Sequence, residues 1–522
     1  MPVSHPASAA AAGGTSTQSE TAQEGKPPAD VEEHPPLETA GGASTVPPYQ
    51  GTRNTTYVRQ KPPPYQFDRT KPDSWPIKNV VLIVLENRSF DHYLGAMADE
   101  RPDINGVHEN DTYANPTWDV YQTEDLDVLS KQAVQMGIRD PPHEANMARL
   151  GIYGKMFPEP DDPPNMSGFV KAAQLHWRSS QMTDLRDIMD GMDTKTMLPV
   201  TWTLANEFAV FQNWYASVPG PTYPNRLFIY SCTSRGDLSN FNSRIFRGYP
   251  QDSIFTRLTQ QNVSWINYHT MAPLSLFFKD QRSARNIREN TAPYEDFAKH
   301  AANGELPEFT MIDPTFVNMV GAYVENDAHP PSDTARAEAL VKEVYEAVRN
   351  GPQWNTTLLI ITFDEHGGFW DHVPPPAKGV PPPDVYSSSR TDFAFDRLGL
   401  RVPTIMISPW INKGRVVSEP EPDDKPSPTS HFEHCSLAAT FKKMFGWDRF
   451  LTRRDAWAAT FEGIFLERSE PRTDCPTTLP EPLPFMDDGN RISGLKLGII
   501  EAALRKVWTI MRYTVGVADL TN

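Results

Sequence analysis

The amino-acid sequence predicts an α/β protein built on buried parallel strands. Two apolar runs support this class: residues 80–85 (VVLIVL) and residues 358–363 (LLIITF) are short and rich in β-branched side chains. Such runs are typical of central strands that are covered on both faces of a sheet. A helical pattern over 333–349 ends at Gly351 and Pro352 and leads into the second run, which is the helix-to-strand order of a parallel crossover.

Each apolar run stops on a pair of oxygen-bearing side chains, Glu86 and Asn87 after the first and Asp364 and Glu365 after the second. In open α/β sheets, ligands bind beyond the carboxyl ends of the strands. If the two strands are neighbours, three carboxylates crowd together and must hold a cation or a proton. These oxygen ligands suit Mg²⁺, Ca²⁺ or Mn²⁺ and can bring a metal against a phosphate. The sequence therefore predicts a site for one divalent cation of open identity, and no organic cofactor.

Composition narrows the class of protein. A chain of 522 residues with 39% hydrophobic content and 12 Trp is a globular protein of several domains or one long α/β domain. The net charge of -17 argues against a nucleic-acid partner. The 3 cysteines are widely spaced and odd in number, which excludes a disulfide scaffold and a Cys-based zinc cluster.

The sequence carries no targeting or membrane-spanning pattern. Residues 2–48 contain almost no large apolar side chains, so they do not resemble a signal peptide. No run reaches the ~18 apolar residues that a membrane span requires. We therefore expect a cytoplasmic protein or one at the membrane periphery, with its oligomeric state open.

The sequence predicts three regions along the chain. Residues 1–74 are rich in Pro, Ala, Gly and Ser, a composition that predicts a disordered arm. Residues 75–485 form the main folded domain. The tail, 486–522, carries apolar residues at helical spacing over 491–515; a helix docked on the domain or on a second subunit is favoured over a helix on a membrane surface. Further predicted elements are helices over 165–191, 193–208 and 430–445 and a strand over 402–410.

A segment between these elements, residues 217–226 (SVPGPTYPNR), contains three prolines and one glycine. Such a composition predicts a rigid, irregular loop. Thr222 lies inside it, shortly before Arg226, which is a secondary candidate for the site. A hydroxyl held in this way can act as a nucleophile when a base or a bound cation activates it. The alternative, that Thr222 is an ordinary turn residue, stays open.

Five histidines are candidates for proton exchange: His143, His269, His329, His366 and His434. Most single histidines are structural, and five cannot all be catalytic. His329 is the preferred candidate because it lies in a polar, proline-bounded loop before the helix that leads to Asp364.

Most of the candidate residues lie in five segments: 86–92 (ENRSFDH), 219–226 (PGPTYPNR), 326–330 (NDAHP), 364–374 (DEHGGFWDHVP) and 401–410 (RVPTIMISPW). Together they resemble the phosphoesterase family that includes bacterial phospholipases C and acid phosphatases, and most closely the plant-type non-specific phospholipases C. The match covers nearly all of 76–485.

The resemblance implies an alkaline-phosphatase-like three-layer α/β sandwich with a mostly parallel central sheet. It also implies a phosphate site with a Thr nucleophile and pocket histidines, made of Glu86, Asn87, His143, Thr222, His329, Asp364 and Glu365.

The reaction implied is of the phospholipase C type, in which a phosphothreonine forms on Thr222 and diacylglycerol and a phosphorylated headgroup are released. A phospholipid substrate also implies contact with the periphery of a membrane. Two alternatives remain at this point: an acid phosphatase of the same family, and a non-catalytic phospholipid-binding protein.

Overall fold

The structure is a computed structural model, and it describes residues 67–118, 126–127, 131–137, 139–159, 161–178, 182–240, 243–316, 325–386 and 393–486. Most of the predicted arm and the predicted tail helix over 491–515 lie outside these residues. Within the described residues the chain already packs on the domain at Phe67, whose ring lies 5.1 Å from that of Trp75. The extents of the arm, the domain and the tail stay predictions.

One large sheet organises the described residues. Its strands are β1 (Asn79–Leu85), β2 (Ala209–Phe211), β3 (Trp265–His269), β4 (Thr291–Pro293), β5 (Phe309–Ile312), β6 (Thr357–Phe363), β7 (Thr404–Ile407) and β8 (Arg415–Val417). Their order across the sheet is β8-β2-β7-β6-β1-β5-β3-β4. β7 runs antiparallel to β6 and β2, and the other neighbours are parallel. The predicted mostly parallel sheet is confirmed.

Helices cover both faces of this sheet. They are α1 (Phe90–Leu94), α2 (Ala145–Tyr153), α3 (Phe169–Trp177), α4 (Met182–Met189), α5 (Thr194–Met197), α6 (Pro199–Glu207), α7 (Thr222–Ser231), α8 (Arg244–Arg247), α9 (Ile254–Gln260), α10 (Ala284–Asn290), α11 (Phe297–Asn303), α12 (Thr334–Asn350), α13 (Cys435–Met444) and α14 (Arg453–Trp457). α6 and α11 pack on α12, whereas α9 and α13 pack on α7. Every residue of β1 and β6 is buried, which explains why these strands read as unbroken apolar runs.

The predicted elements are mostly present, with shifted ends. The two acid-tipped strands and the helix over 333–349 are confirmed as β1, β6 and α12. The strand expected over 402–410 shortens to β7, and the helix expected over 430–445 begins at Cys435 after a short strand, Phe432–Glu433, that pairs with Trp214–Tyr215.

Two long predicted helices are each divided. The helix expected over 193–208 becomes α5 and α6, because Pro199 has no amide hydrogen to continue the first helix. The helix expected over 165–191 becomes α3 and α4, and Arg178 ends α3 in a left-handed conformation. No helix among the described residues combines the length and the apolar character needed to span a bilayer.

Candidate active site

The structure brings the two acidic strand tips together. β1 and β6 are parallel neighbours in a register that pairs Leu85 with Phe363, so the residues that follow leave the sheet side by side. The backbone N–H of Asn87 donates to Oδ1 of Asp364 at 3.2 Å, and the N–H of Arg88 donates to the carbonyl of Glu365 at 3.1 Å. The predicted convergence of these segments is therefore present.

Two unusual backbone conformations hold the tips against each other. Asn87 has a φ of 60°, a left-handed conformation that Asn tolerates better than most residues. Gly367 has a φ of 64°, and a Cβ at this position would lie 2.2 Å from the carbonyl oxygen of Asn87. Only glycine permits this approach, because any side chain would push the second tip away from the first.

Arg226 connects the two tips from within the protein. Its side chain is buried, and its Nε donates to Oδ2 of Asp364 at 3.0 Å while its Nη2 donates to Oε1 of Glu86 at 3.1 Å. Nη2 also donates to the carbonyl of Val84 at 3.1 Å, and the guanidinium lies 4.5 Å from the ring centre of Phe316. The sequence suggested Arg226 only as a secondary candidate, but it is the residue that contacts both strands.

Thr222 is the first residue of α7, so the expected irregular loop ends at Pro221 and a helix replaces its second half. Prolines at the start of a helix lose no intrahelical hydrogen bond, which reconciles this composition with a helix. Because Thr222 and Arg226 are four residues apart on α7, they share one helix face about one turn apart. The Thr222 hydroxyl is buried and has no hydrogen-bond partner among the described residues.

Asn225 fixes the approach to α7. Its side-chain amide donates to the carbonyls of Val218 at 3.1 Å and Gly220 at 3.0 Å, and its Oδ1 accepts from the N–H of Val218 at 3.1 Å. These bonds satisfy buried backbone groups that an irregular segment would otherwise leave unpaired. Thr222 therefore lies in a segment whose conformation is fixed by hydrogen bonds between the residues before it and the residue Asn225 after it.

The carboxylates of the site carry more negative charge than their surroundings neutralise. Burial raises the pKa of Glu86 well above its usual range, and the charge of Arg226 offsets this only in part. Burial also raises the pKa of Asp364 to about 7. For Glu365 burial acts in the same direction, but the positive charge of His143 and the contacts with His366 and the N–H of Gly367 together outweigh it and lower the pKa. Glu86 and Asp364 therefore favour a proton or a cation near neutral pH.

Asp327 is a buried acid of the site that the sequence did not identify. Its carbonyl accepts from the N–H of Glu86 at 2.7 Å, and its carboxylate accepts from the N–H of His329 at 2.9 Å. Burial raises its pKa well above the usual range. Its position two residues before His329, in the same polar loop, is the signal that could have indicated it.

His143 and His329 lie on one side of the acidic tips and face a shared carboxylate. Their ring centres are 6.1 Å apart, and Oδ1 of Asp140 lies 3.5 Å from Nδ1 of His143 and 3.9 Å from Nε2 of His329. Nε2 of His143 lies 3.7 Å from Oε1 of Glu365 and 3.5 Å from Nδ2 of Asn87. Although burial lowers the pKa of His143, the charges of Glu365 and Asp140 raise it to about 9.

The remaining candidate histidines take different positions. Nδ1 of His366 lies 3.1 Å from Oε2 of Glu365. Nε2 of buried His434 donates to the carbonyl of Asp364 at 2.6 Å, and burial lowers the pKa of His434 to about 4. His269 ends β3, which β5 separates from β1, and its Nδ1 donates to the carbonyl of Met271 at 2.5 Å. His269 therefore follows a strand that is two places from β1 in the sheet order, not a direct neighbour of it.

Two groups of acid and histidine side chains could hold a metal ion. Within the described residues, ligand atoms approach within 4.8 Å of one another in the groups Asp140, His143, His329 and Asp91, Asp371, His372. In the second group, Arg401 already pairs with Asp91 at 2.9 Å and Asp371 at 3.0 Å. The predicted carboxylates Glu86, Asp364 and Glu365 are not among these closely spaced groups.

Comparison with known proteins shows which family and which named proteins this chain is similar to. The model of the phosphoesterase family matches residues 77–448. Non-specific phospholipase C6 of Arabidopsis thaliana is 45% identical over 416 residues, which cover 78% of this chain and 76% of that protein. Phospholipase C B of Mycobacterium tuberculosis is 26% identical over 413 residues, which cover 71% of this chain and 73% of that protein.

Solved structures show more distant likeness. The phosphonate monoester hydrolase of Agrobacterium radiobacter has 12% sequence identity and a TM-score of 0.32, over 76% of this chain and 78% of that chain. A protein of the alkaline phosphatase superfamily from Vibrio parahaemolyticus has 11% identity and a TM-score of 0.30, over 61% of this chain and 82% of that chain.

Proposed function

The chain belongs to the phosphoesterase family, and from that membership we propose that it is a phospholipase C that cleaves the glycerol-side phosphodiester bond of phospholipids. It is a hydrolase acting on phosphoester bonds, and the products proposed here are diacylglycerol and a phosphorylated headgroup. The observation that carries the mechanism is the buried hydroxyl of Thr222, which has no hydrogen-bond partner in the described part of the chain and lies one helical turn before the arginine that binds both acidic tips.

Thr222 acts as the nucleophile in this proposal. Its Oγ1 forms a bond to phosphorus as the bond from phosphorus to the diacylglycerol oxygen breaks. The hydroxyl proton passes to the carboxylate cluster formed by Glu86, Asp364 and Glu365. Thr222 begins a helix of 10 residues, and the positive end of the helix dipole favours the charge of the phosphoryl oxygens.

A histidine protonates the departing diacylglycerol oxygen. His329 is the residue that the sequence favours, and His143 is the one with a pKa of about 9, so that it is protonated at neutral pH. Either imidazole can then accept a proton from the water that attacks the phosphothreonine. That second attack breaks the bond between Thr222 and phosphorus and releases the headgroup phosphate.

Three buried oxygens of the site are available to a divalent cation. Oδ1 of Asn87, Oε1 of Glu365 and the Thr222 hydroxyl are buried without hydrogen-bond partners among the described residues. Oxygen donors with unneutralised negative charge are the ligand set that hard cations prefer. We propose that Glu86, Asn87, Asp364 and Glu365 would hold the cation, which supplies positive charge opposite the phosphoryl oxygens when it is bound.

Hydrolysis of phosphatidylcholine in mixed micelles, measured beside hydrolysis of p-nitrophenyl phosphate, tests the proposal. Release of diacylglycerol and phosphocholine is the expected result. Hydrolysis of the monoester alone would favour the acid phosphatase, and binding of phospholipid without any hydrolysis would favour the non-catalytic protein.

A further inference from the structure

Arg88, the residue after Asn87, carries a buried guanidinium that has no acidic partner at ion-pair distance among the described residues. The residue is 2% exposed. Its Nε donates to the carbonyl of Ala328 at 2.9 Å, and its Nη1 donates to Nε2 of His92 at 2.9 Å. His92 is neutral, because burial lowers its pKa well below the usual range. The remaining nitrogen of Arg88, Nη2, is buried without a hydrogen-bond partner in the described part of the chain.

Arg88 lines a cleft with an empty volume of about 350 Å³, including open solvent. Arg139, Trp177, Asp187 and Phe369 also line it. The guanidinium of Arg88 lies 4.8 Å from the ring centre of Phe369, and that of Arg139 lies 5.5 Å from Trp177. An arginine stacked by its face on a ring keeps the N–H groups at its edge for an acceptor.

The cleft borders the candidate active site. The backbone N–H of Arg88 donates to the carbonyl of Glu365 at 3.1 Å, and Ala328, which accepts from the Arg88 side chain, directly precedes His329. Pro141, on the cleft wall, accepts a hydrogen bond from Nδ1 of His143 at 2.7 Å. A substrate bound at the catalytic residues would therefore lie next to the cleft.

A buried cation without a partner is costly unless an anion binds beside it. Arginine forms its strongest paired hydrogen bonds with phosphate and carboxylate groups.

We propose that the Arg88 cleft binds a phosphate group other than the scissile one, supplied by a phospholipid headgroup or by free phosphate. This inference rests on the proposed function where the source is a headgroup. In that case the preferred substrates are phospholipids with an additional headgroup phosphate, such as phosphatidylinositol 4-phosphate.

The test compares Arg88→Lys and Arg139→Gln with the wild type and with Arg285→Gln, a matched change at an exposed arginine that pairs with Glu289. The first measurement is the ratio of kcat/KM for phosphatidylinositol 4-phosphate to that for phosphatidylcholine, in the same mixed micelles. We expect this ratio to fall about tenfold in both cleft variants, as for the loss of one charge-assisted hydrogen bond, and to stay at the wild-type value in the control.

The second measurement is calorimetric titration of inorganic phosphate into each protein without lipid. Two phosphate sites per chain are expected in the wild type and one in the cleft variants. Loss of the second site with an unchanged kcat/KM ratio would identify free phosphate as the source. Arg139→Gln removes a half-buried side chain and keeps the test valid if Arg88→Lys does not fold.

A single phosphate site in the wild type, or wild-type ratios and stoichiometry in both cleft variants, would overturn the inference. Failure of the proposed function is distinguishable from this outcome: the wild type would then bind two phosphates but would not hydrolyse phosphatidylcholine.

Discussion

Arg226 and Asp364 form a buried ion pair, with Nε of the arginine 3.0 Å from Oδ2 of the aspartate. The pair joins the helix that begins at Thr222 to the tip of β6, and a second bond from Arg226 to Glu86 adds the tip of β1. One side chain thereby fixes the position of the proposed nucleophile relative to both acidic segments. The chain brings these segments together although Asp364 and Arg226 are 138 positions apart.

Arg226→Gln should destabilise the protein strongly, because it leaves two buried carboxylates without their cation. Breaking a buried ion pair in this way costs about 3–5 kcal/mol. Urea denaturation at pH 7 measures the change, with Arg285→Gln as a control that should leave the unfolding midpoint in place. A wild-type midpoint for Arg226→Gln would show that the ion pair does not hold the site together.

Thr222→Ala should abolish phosphatidylcholine hydrolysis and leave the fold intact, because the hydroxyl is removed and no hydrogen bond among the described residues is lost. Thr222→Ser keeps a hydroxyl at the same position and should retain measurable turnover. Diacylglycerol release measures activity, and circular dichroism checks the fold. Wild-type turnover in Thr222→Ala would contradict the role of this residue as nucleophile.

The activity should fall at alkaline pH as His143 loses its proton. Its pKa is raised to about 9, so kcat/KM, which reports the free enzyme, should decline above about pH 9. His143→Gln should be less active and should lack this alkaline decline, whereas His269→Gln, at a distant strand end, should keep it. An unchanged alkaline limb in His143→Gln would assign the proton donor to another residue, with His329 as the next candidate.

Asp364 should make the cation-free protein less stable as pH rises. Its pKa is raised from 3.8 to about 7 by burial, so the folded state holds a proton that the unfolded state releases. Its contribution to stability is complete below the unfolded pKa and is lost as pH rises through about 7. Urea unfolding in chelator from pH 4 to pH 8 should show this loss, and Asp364→Asn should reduce it. Equal slopes for both proteins would contradict the assigned shift.

A chelator should abolish phosphatidylcholine hydrolysis, and an excess of Mg²⁺, Ca²⁺ or Mn²⁺ should restore it. The reason is that Oδ1 of Asn87 and Oε1 of Glu365 are buried without hydrogen-bond partners among the described residues, and the neighbouring carboxylates carry excess negative charge. Far-ultraviolet circular dichroism in the chelator checks that the fold persists. Full activity after exhaustive chelation would mean that Arg226 and protons alone neutralise the site.

The sequence predicted those strands and site residues that a single local pattern of residue types identifies. The apolar runs identified β1 and β6, because strands buried on both faces need no polar alternation, and the residues after them identified both acidic tips. β5, only four residues long (Phe309–Ile312), was not predicted, although it lies directly beside β1. Its short run cannot be distinguished from a helix segment or a loop by periodicity.

The central role of Arg226 was missed for a different reason. A loop containing three prolines appears irregular, so the four-residue spacing from Thr222 to Arg226 carried no meaning until α7 was found to begin at Thr222. Asp327 and Asp140 each lie shortly before a candidate histidine that they contact, which is a local signal. Their other contacts, of Asp327 with Glu86 and of Asp140 with His329, join segments far apart in the sequence and leave no local pattern.

The most direct test of the account is a search for the covalent intermediate on Thr222. The protein is mixed with phosphatidylcholine, quenched in acid within milliseconds and digested, and the peptide that contains Thr222 is analysed by mass spectrometry. The account predicts a phosphorylated headgroup linked to Thr222 during turnover and its absence in Thr222→Ala. Rapid hydrolysis with no modified Thr222 peptide at any quench time would contradict it.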